Sequence, residues 1–262
     1  MAQVGSETVV LEADRLTRHF GGLKAVQDVS FSVGEGELVG IIGPNGAGKT
    51  TVFNLITGIY EPTSGDIRLN GQSIARLKPY QVTQRGVART FQNIRLFQGL
   101  TVLDNVRIAY HHNVRYGIGQ AMLRMPSFSK EEQELTDRAL EFLAVFGLDD
   151  RHDELAKNLP YGEQRRLEIA RALATQPQVL LLDEPAAGMN PGETRRLMDY
   201  INFIRQRFRL TIVLIEHQMR VVMGICERIY VMDFGEVIAH GTPRDIQSNP
   251  KVIEAYLGKG VA

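Results

Sequence analysis

The second half of the chain alternates between short apolar runs and longer amphipathic stretches. The apolar runs at 179–182, 210–215 and 228–232 have the length and composition of buried strands. The stretches between them, at 191–207 and 218–226, are predicted to be helices. Alternating strands and helices predict a mostly parallel sheet, which binds its ligands at the carboxyl ends of the strands.

The first third of the chain has a different pattern. Residues 9–11 and 16–20 predict two short strands around a polar turn, and residues 26–33 alternate like a half-buried strand. Asn70 and Gly71 follow an apolar run at 67–69, and this pair favours a hairpin turn. We therefore expect an antiparallel sheet in addition to the parallel one.

The middle of the chain, residues 101–175, follows a mostly helical pattern. Ser129 and Glu132 have the spacing of a capping box, which predicts that a helix begins there. Gly147 is a typical residue just beyond the end of such a helix. The apolar residues between them recur at helical intervals: Leu135, Ala139, Phe142, Leu143 and Phe146.

One stretch fits the phosphate-binding pattern G-x-x-x-x-G-K-[ST], between an apolar run at 38–42 and a helical pattern that extends to about 58. Its glycines allow the backbone N–H groups to point inward, and the new helix adds its positive N-terminal end. Lys49 would reach the β- and γ-phosphates, and the Thr50 hydroxyl would ligate Mg²⁺. The strand before it, the helix after it and the Lys-Thr pair disfavour an ordinary glycine-rich turn. The candidate nucleotide-binding residues here are Gly43, Pro44, Asn45, Gly46, Ala47, Gly48, Lys49, Thr50 and Thr51.

Polar groups follow two of the predicted parallel strands. Asp183 would hold Mg²⁺ opposite Thr50, and Glu184, pointing elsewhere, would orient or deprotonate the attacking water. His217 could polarise the γ-phosphate or position the water. In isolation, two such carboxylates are more often solvated turn residues and a single histidine is more often structural. A phosphate loop at the same sheet edge favours the catalytic interpretation.

Two further positions are less specific. Gln92 follows an apparent strand at 87–91, and its side chain could ligate Mg²⁺ and hydrogen-bond the water. Phe20 lies upstream of the phosphate loop, where an aromatic ring could stack on a base or could simply belong to the core.

Composition limits the class of protein. The 262 residues suit one large domain or two closely packed ones, and 30 basic residues balance 30 acidic ones, which gives no overall attraction to nucleic acid. A single cysteine, Cys226, excludes an internal disulfide and fits a reducing compartment. No apolar run approaches the ~20 residues of a membrane span, and the start of the chain lacks the pattern of a signal peptide. We expect a cytoplasmic protein that meets a membrane only through a partner.

The order and spacing of these motifs resemble those of the ATP-binding-cassette (ABC) ATPases. The resemblance rests on the phosphate loop, Gln92, Leu-Pro-Tyr-Gly-Glu-Gln-Arg-Arg at 159–166, Asp183-Glu184-Pro185 and His217. A narrower resemblance is to the ATPase subunits of high-affinity branched-chain amino acid importers. It is carried by residues 89–97, a helical insert up to 126–128, residues 161–171 and the ending at 255–258.

This resemblance implies a fold and a set of ligands. The fold would be α/β: a single ABC ATPase domain over 1–262, with a P-loop NTPase core at 1–92 and 178–262 and a helical subdomain at 93–177. The core would combine a mostly parallel sheet with an antiparallel β subdomain. The cofactors would be ATP and Mg²⁺, and Phe20 would stack on adenine.

The resemblance also implies partners. A second ABC ATPase subunit would face this one head to tail, so that Tyr161, Gly162 and Glu163 of one subunit complete the ATP site of the other. Two transmembrane permease subunits would hold the pair on the inner face of the cell membrane, and a periplasmic or extracellular binding protein would act indirectly. No nucleic acid is implied.

The sequence departs from the family's common Leu-Ser-Gly-Gly-Gln signature. Pro160, Tyr161 and Glu163 replace its Ser, first Gly and Gln, so a hydroxyl that would bond the γ-phosphate is missing. Asn190 stands where many members have Asp. These departures suggest the hypothesis of a heterodimer with two unequal ATP sites.

Three other functions remain open at this stage. The chain could serve a transporter for urea, short amides or another solute, because none of its residues would contact the cargo. It could be a soluble ABC ATPase acting on ribosomes or DNA, although such proteins usually carry two cassettes or a coiled-coil insertion. It could also sense nucleotide without turnover, which the complete set of Lys49, Thr50, Asp183 and Glu184 disfavours.

Overall fold

The computed structural model describes residues 8–110 and 126–257. They form two compact units: a sheet unit (residues 8–89 and 178–257) and a helical unit (residues 90–110 and 126–177). The first seven residues, most of the insert that carries part of the family resemblance, and Gly258 lie outside the described residues. Within the described ranges, no helix is both long enough and apolar enough to cross a bilayer.

Ten strands and nine α-helices are described, and their bounds follow. The strands are β1 (Val9–Phe20), β2 (Leu23–Gly34), β3 (Leu38–Ile42), β4 (Ser64–Leu69), β5 (Gln72–Ser73), β6 (Val87–Arg89), β7 (Val179–Asp183), β8 (Thr211–Ile215), β9 (Arg228–Asp233) and β10 (Glu236–Gly241). The helices are α1 (Lys49–Ile56), α2 (Pro79–Gln84), α3 (Val102–Tyr110), α4 (Pro126–Val145), α5 (Tyr161–Ala174), α6 (Pro191–Phe208), α7 (Met219–Ile225), α8 (Pro243–Gln247) and α9 (Pro250–Leu257).

The larger sheet has six strands in the order β10-β9-β3-β8-β7-β6. All of its neighbours are parallel except β10, which pairs antiparallel with β9. Every residue of β3, β7 and β8 is buried, as expected of strands that are covered on both faces. The predicted parallel sheet is therefore confirmed, and the carboxyl ends of these three central strands lie along one edge.

The smaller sheet is antiparallel and has the order β2-β1-β4-β5. The prediction of two short strands at 9–11 and 16–20 is wrong, because β1 is one continuous strand. The polar residues between the two apolar runs lie where the register between β1 and β2 is irregular, between Ala13 and Leu16. Arg15 in this stretch has a left-handed φ of 47°. The Arg15 N–H donates to Ser30 Oγ at 2.8 Å, so the backbone stays paired to β2 where a turn was expected.

The helical unit contains α3, α4 and α5 with two short 3₁₀ turns. The predicted start of the fourth helix at Ser129 is wrong, since α4 begins at Pro126. Proline is favoured at the first position of a helix, where its missing N–H would have no partner in any case. The apolar stripe is confirmed, because Leu135, Leu143 and Phe146 are fully buried. The strand expected at 87–91 is also shorter than predicted and ends at Arg89.

The only cysteine of the chain is packed beneath a central strand. A Cβ placed on Gly40 of β3 would lie 3.0 Å from Cys226 Sγ, so the thiol fills the space that the glycine leaves. Burial, together with the charges of Glu216 and Glu227, raises the pKa of Cys226 to about 12. The thiol therefore stays protonated at neutral pH and is a packing residue.

Asn190, at the position where many ABC ATPases have Asp, is the N-cap of α6. Its Oδ1 accepts hydrogen bonds from the Gly192 N–H at 2.9 Å and the Glu193 N–H at 3.0 Å. The Glu193 carboxylate in turn accepts the Asn190 N–H at 2.9 Å, which completes a capping box. Asn and Asp are equally good at this position, so the departure from the family leaves the helix start intact.

Replacing this cap should destabilise the sheet unit measurably. We expect Asn190→Ala to lower the free energy of unfolding by about 1 kcal/mol, because two N–H groups at the start of α6 lose their acceptor. The matched variant Asn190→Asp should remain within about 0.5 kcal/mol of the wild type. Urea unfolding followed by circular dichroism measures both, and equal stability of Asn190→Ala and Asn190→Asp would contradict the capping role.

Candidate functional site

The loop after β3 has a backbone that only glycine allows at two positions. Gly43 and Gly48 have φ of 151° and 98°. A Cβ would lie 2.0 Å from the Met232 carbonyl oxygen at Gly43 and 2.5 Å from the Ala25 carbonyl oxygen at Gly48. The loop therefore packs directly against neighbouring backbone, and this packing fixes its curvature just before α1 begins at Lys49.

The first turn of α1 presents the groups expected of an anion site. The N–H groups of a first helical turn have no acceptor within the helix, and they carry the positive end of the helix dipole. Thr50 is exposed and Thr51 is half-buried in this turn. A phosphate group at this end would therefore meet backbone donors and a hydroxyl together.

The Lys49 side chain is held by hydrogen bonds to the backbone of the phosphate loop. Its Nζ donates to the carbonyl oxygens of Gly43 at 2.7 Å and Pro44 at 2.9 Å, and the side chain is buried. Burial lowers the pKa of Lys49, while the nearby charges of Glu184 and Asp183 raise it. The ammonium group is thus bound by the phosphate loop and is influenced by the charges of Asp183 at the end of β7 and of Glu184 just after it.

Asp183, the last residue of β7, forms a buried ion pair. Its Oδ2 accepts a hydrogen bond from Arg89 Nη2 at 2.7 Å, and both side chains are at most 5% exposed. Arg89 also donates to Asn54 Oδ1 of α1 at 2.7 Å. Arg89 therefore fixes the orientation of the Asp183 carboxylate relative to the helix that carries Thr50.

The oxygen donors of this region suit Mg²⁺. The described residues contain no group of three or more His, Cys, Asp or Glu side chains that could enclose a metal ion. Mg²⁺ usually takes one or two protein oxygens together with substrate phosphates and water, so a protein cage is not required. Thr50, with its hydroxyl, and Asp183, with its carboxylate, are the residues of the sheet unit that could hold it.

Glu184 and His217 are brought together at the ends of β7 and β8. Glu184 Oε2 lies 3.5 Å from His217 Nδ1, with the glutamate side chain 17% exposed and the histidine side chain 52% exposed. Glu184 adopts a left-handed φ of 45°, and its N–H donates to the Ile215 carbonyl at 2.9 Å. Asp183 binds Arg89 whereas Glu184 lies beside His217, so the two neighbouring carboxylates can serve different purposes.

Glu216 is a site residue that the sequence analysis gave no role. Its side chain is completely buried. One carboxylate oxygen accepts the Ala186 N–H at 2.9 Å, and the other accepts the N–H groups of His217 at 3.0 Å and Gln218 at 3.1 Å. Gln218 Nε2 donates back to the Ala186 carbonyl at 3.0 Å. Glu216 thus fastens the segment after Glu184 to the segment that carries His217. The sequence signal for such a residue is a carboxylate directly after the mostly apolar strand β8.

Phe20 lies at the end of β1 with 38% of its surface exposed. Its ring meets Tyr60 edge to face at 5.1 Å, and the Arg18 guanidinium lies 4.6 Å from the ring centre. Aromatic and cationic neighbours hold the ring while it stays accessible, which is compatible with stacking on a base.

The remaining predicted site residues belong to the helical unit. Gln92 is exposed. Tyr161 opens α5, and Pro160 is its N-cap, where a missing N–H removes nothing that the helix needs. Glu163, in the first turn, is paired with Arg151 and lies 3.4 Å from Arg166. The N–H groups of this turn, including that of Gly162, can face an anion as those of α1 do.

The terminal helix α9 lies beside the phosphate loop, and both line one cavity. Burial raises the pKa of Tyr256, and the nearby backbone N–H of Gly43 partly offsets this rise. A cavity of about 790 Å³ lies along the outer side of the loop, between Pro44, Asn45, Phe234 and the α9 residues Lys251 and Glu254. Helix α9 therefore belongs to the surroundings of the site.

Comparison with known proteins agrees with this geometry. Residues 26–187 match the family model described as ABC transporter, and residues 236–262 match one described as branched-chain amino acid ATP-binding cassette transporter. The chain is 48% identical over 250 residues to the high-affinity branched-chain amino acid transport ATP-binding protein LivG of Escherichia coli, which covers 95% of this chain and 98% of the relative. It is 46% identical over 250 residues to BraF, the corresponding protein of Pseudomonas aeruginosa, with the same coverage.

A solved structure has the same fold. It is the ADP conformation of an ATP-binding cassette of an ABC transporter, with 31% sequence identity and a TM-score of 0.83. The match covers 96% of this chain and 99% of that one. The likeness therefore extends over both the strand-rich and the helical segments of the chain.

Removal of the Glu216 carboxylate should destabilise the protein. Glu216→Ala leaves one buried and two part-buried N–H groups without their acceptor, so we expect a loss on the order of 3 kcal/mol in the free energy of unfolding. Glu236→Ala, which removes an exposed carboxylate from the same sheet, should change it by less than about 0.5 kcal/mol. Urea unfolding measures both, and losses of similar size would contradict the fastening role of Glu216.

Proposed function

The chain belongs to the ABC transporter family, and we propose that it powers the uptake of leucine, isoleucine and valine through partner membrane subunits. It is the ATPase subunit of such an importer. The observation that carries the proposal is the 48% identity to LivG, which extends over 95% of the chain. The separate match of residues 236–262 to the branched-chain amino acid model supports the same cargo.

In this proposal the sheet unit binds and cleaves ATP. The N–H groups of the loop and of the first turn of α1 bind the phosphates, and the Lys49 ammonium leaves the Gly43 and Pro44 carbonyls to neutralise them. Thr50 and Asp183 would hold Mg²⁺, which would supply charge neutralisation to the phosphates. Phe20 stacks on adenine.

Glu184 orients or deprotonates the attacking water, and His217 contacts the γ-phosphate. Their separation of 3.5 Å allows one water molecule or phosphate oxygen to be addressed by both side chains. The left-handed backbone of Glu184 and the buried Glu216 keep the pair in place before nucleotide arrives. The Gln92 side chain would ligate Mg²⁺ and hydrogen-bond the attacking water, so its position would depend on whether the γ-phosphate is present.

A second ABC ATPase subunit supplies the other half of each site in this proposal. Tyr161, Gly162 and Glu163, at the start of α5, would face the phosphates bound by the partner subunit. The absence of the usual signature hydroxyl at Pro160 supports a pair of unequal sites. ATP would close the pair and hydrolysis would open it, and the transmembrane permease subunits that hold the pair on the inner face of the membrane would follow this motion.

Another solute, such as urea or a short amide, is the alternative cargo. The test is to co-purify the chain with its membrane subunits and to reconstitute them in vesicles with the binding protein. We expect ATP-dependent uptake of labelled leucine that is inhibited by unlabelled isoleucine and valine. Uptake of labelled urea without uptake of leucine would overturn the cargo, and no uptake of any solute with full ATPase activity would favour a soluble role.

Turnover should depend on Glu184. We expect Glu184→Gln to lower ATP turnover by about 10²- to 10⁴-fold, because an amide cannot accept the proton of the attacking water. ATP affinity should be retained, since the phosphate loop is unchanged. Lys49→Ala is the contrasting variant and should weaken ATP binding itself, and Glu236→Gln is the control that should change neither. A phosphate-release assay with filter binding measures these effects, and near-normal turnover in Glu184→Gln would remove Glu184 from its role.

A further inference from the structure

Helix α5 of the helical unit carries two charged side chains that are fully buried. Arg165 and Glu168 are 0% and 1% exposed, and Arg165 Nη1 lies 2.7 Å from Glu168 Oε2. A buried ion pair costs so much desolvation that it rarely contributes net stability. The reason for burying this ion pair should therefore lie in the other groups that the two side chains bind.

Arg165 binds the backbone of the segment that contains Gln92. Its Nη1 donates to the Phe91 carbonyl and its Nη2 to the Gln92 carbonyl, both at 2.6 Å. The planar guanidinium presents its donors as a rigid fork, so two consecutive carbonyls are fixed in direction as well as in distance. Lysine, with a single ammonium on a flexible chain, cannot reproduce this geometry.

Glu168 binds the same segment through its N–H groups. Its Oε1 accepts the Arg95 N–H at 3.2 Å and the Phe91 N–H at 3.4 Å, while Oε2 faces Arg165. Together the two side chains engage carbonyls and amides at both ends of residues 91–95. We call this segment the 91–95 loop, and the buried pair attaches it to the middle of α5.

The same helix begins with the residues proposed to face the partner's ATP. Tyr161 opens α5, and its hydroxyl lies 3.5 Å from Arg165 Nη2. One turn of a rigid helix therefore separates the proposed partner-facing end from the attachment point of the 91–95 loop. A rotation of α5 must carry the loop with it unless four hydrogen bonds break.

We infer that Arg165 and Glu168 are positioning residues that make the backbone of Gln92 move together with the start of α5. The inference rests on the proposed function, in which Gln92 and the start of α5 respond to ATP in two different sites. The buried pair then links the residues that respond to the two sites. When the start of α5 binds the partner's ATP, the position of Gln92 is set as well. Neither side chain touches nucleotide in this arrangement.

Hydrogen exchange tests the attachment without nucleotide. In the wild-type chain, the amides of Phe91 and Arg95 should exchange no faster than those in the middle of α5, because they open with the helix. In Glu168→Gln, we expect these two amides to exchange about tenfold faster or more, while the middle of α5 is unchanged. The matched control is Glu141→Gln, which breaks an exposed pair of the same spacing with Arg138 on α4.

Turnover tests the consequence of the attachment. We expect Arg165→Lys to lower the kcat of ATP hydrolysis by the assembled transporter about tenfold or more, with the KM for ATP within about twofold, because the phosphate loop is intact. Arg138→Lys is the control and should change neither value. Thermal unfolding of each variant checks that the protein is folded. If Arg165→Lys does not fold, Glu168→Gln takes its place in the assay.

Unchanged exchange at Phe91 and Arg95 in Glu168→Gln would overturn the inference, as would turnover of Arg165→Lys equal to that of Arg138→Lys. A loss of kcat and an equal loss of ATP affinity would also overturn it, because that result indicates general structural damage. Failure of the proposed function is distinguishable. It would appear as normal turnover in Glu184→Gln, whereas the exchange measurement needs no ATP.

Discussion

Hydrogen bonds between β3, β8 and β7 place Ile41, Ile215 and Asp183 in one row across the sheet. The phosphate loop, His217 and Glu184 all follow within two residues of this row, so their separations are set by the strand register. A slip of one residue would turn every side chain on a strand to the opposite face. The chemistry of the site thus depends on strands whose own residues are almost entirely apolar.

Two sets of side-chain hydrogen bonds further fix the positions that the strand register sets. Arg89 orients the Asp183 carboxylate, and Glu216 fastens the chain after Glu184 to the chain that carries His217. The left-handed backbone at Glu184 costs on the order of 1 kcal/mol and persists because the surrounding hydrogen bonds determine it. The buried hydrogen bonds at this edge therefore maintain a side-chain geometry that unconstrained side chains would not keep.

The sequence predicted the features that depend on local pattern. The three central strands, the phosphate loop and the Asn70-Gly71 hairpin each have a periodicity or a turn signal of their own. The continuity of β1 had no such signal, because it depends on a left-handed Arg15 whose N–H is bound by Ser30. The partners of Asp183 and Arg165 lie 94 and 73 residues away along the chain, so only the folded structure identifies them.

The thiol beneath β3 has a practical consequence. Cys226 is the single cysteine of the chain, and burial keeps it protonated and sheltered. A cysteine introduced at an exposed position, such as Ser248 in the sheet unit or Glu141 in the helical unit, would accept a maleimide dye without removal of the native residue. Two such positions labelled as donor and acceptor would allow the motions of this ATPase to be followed by single-molecule fluorescence in an otherwise natural sequence.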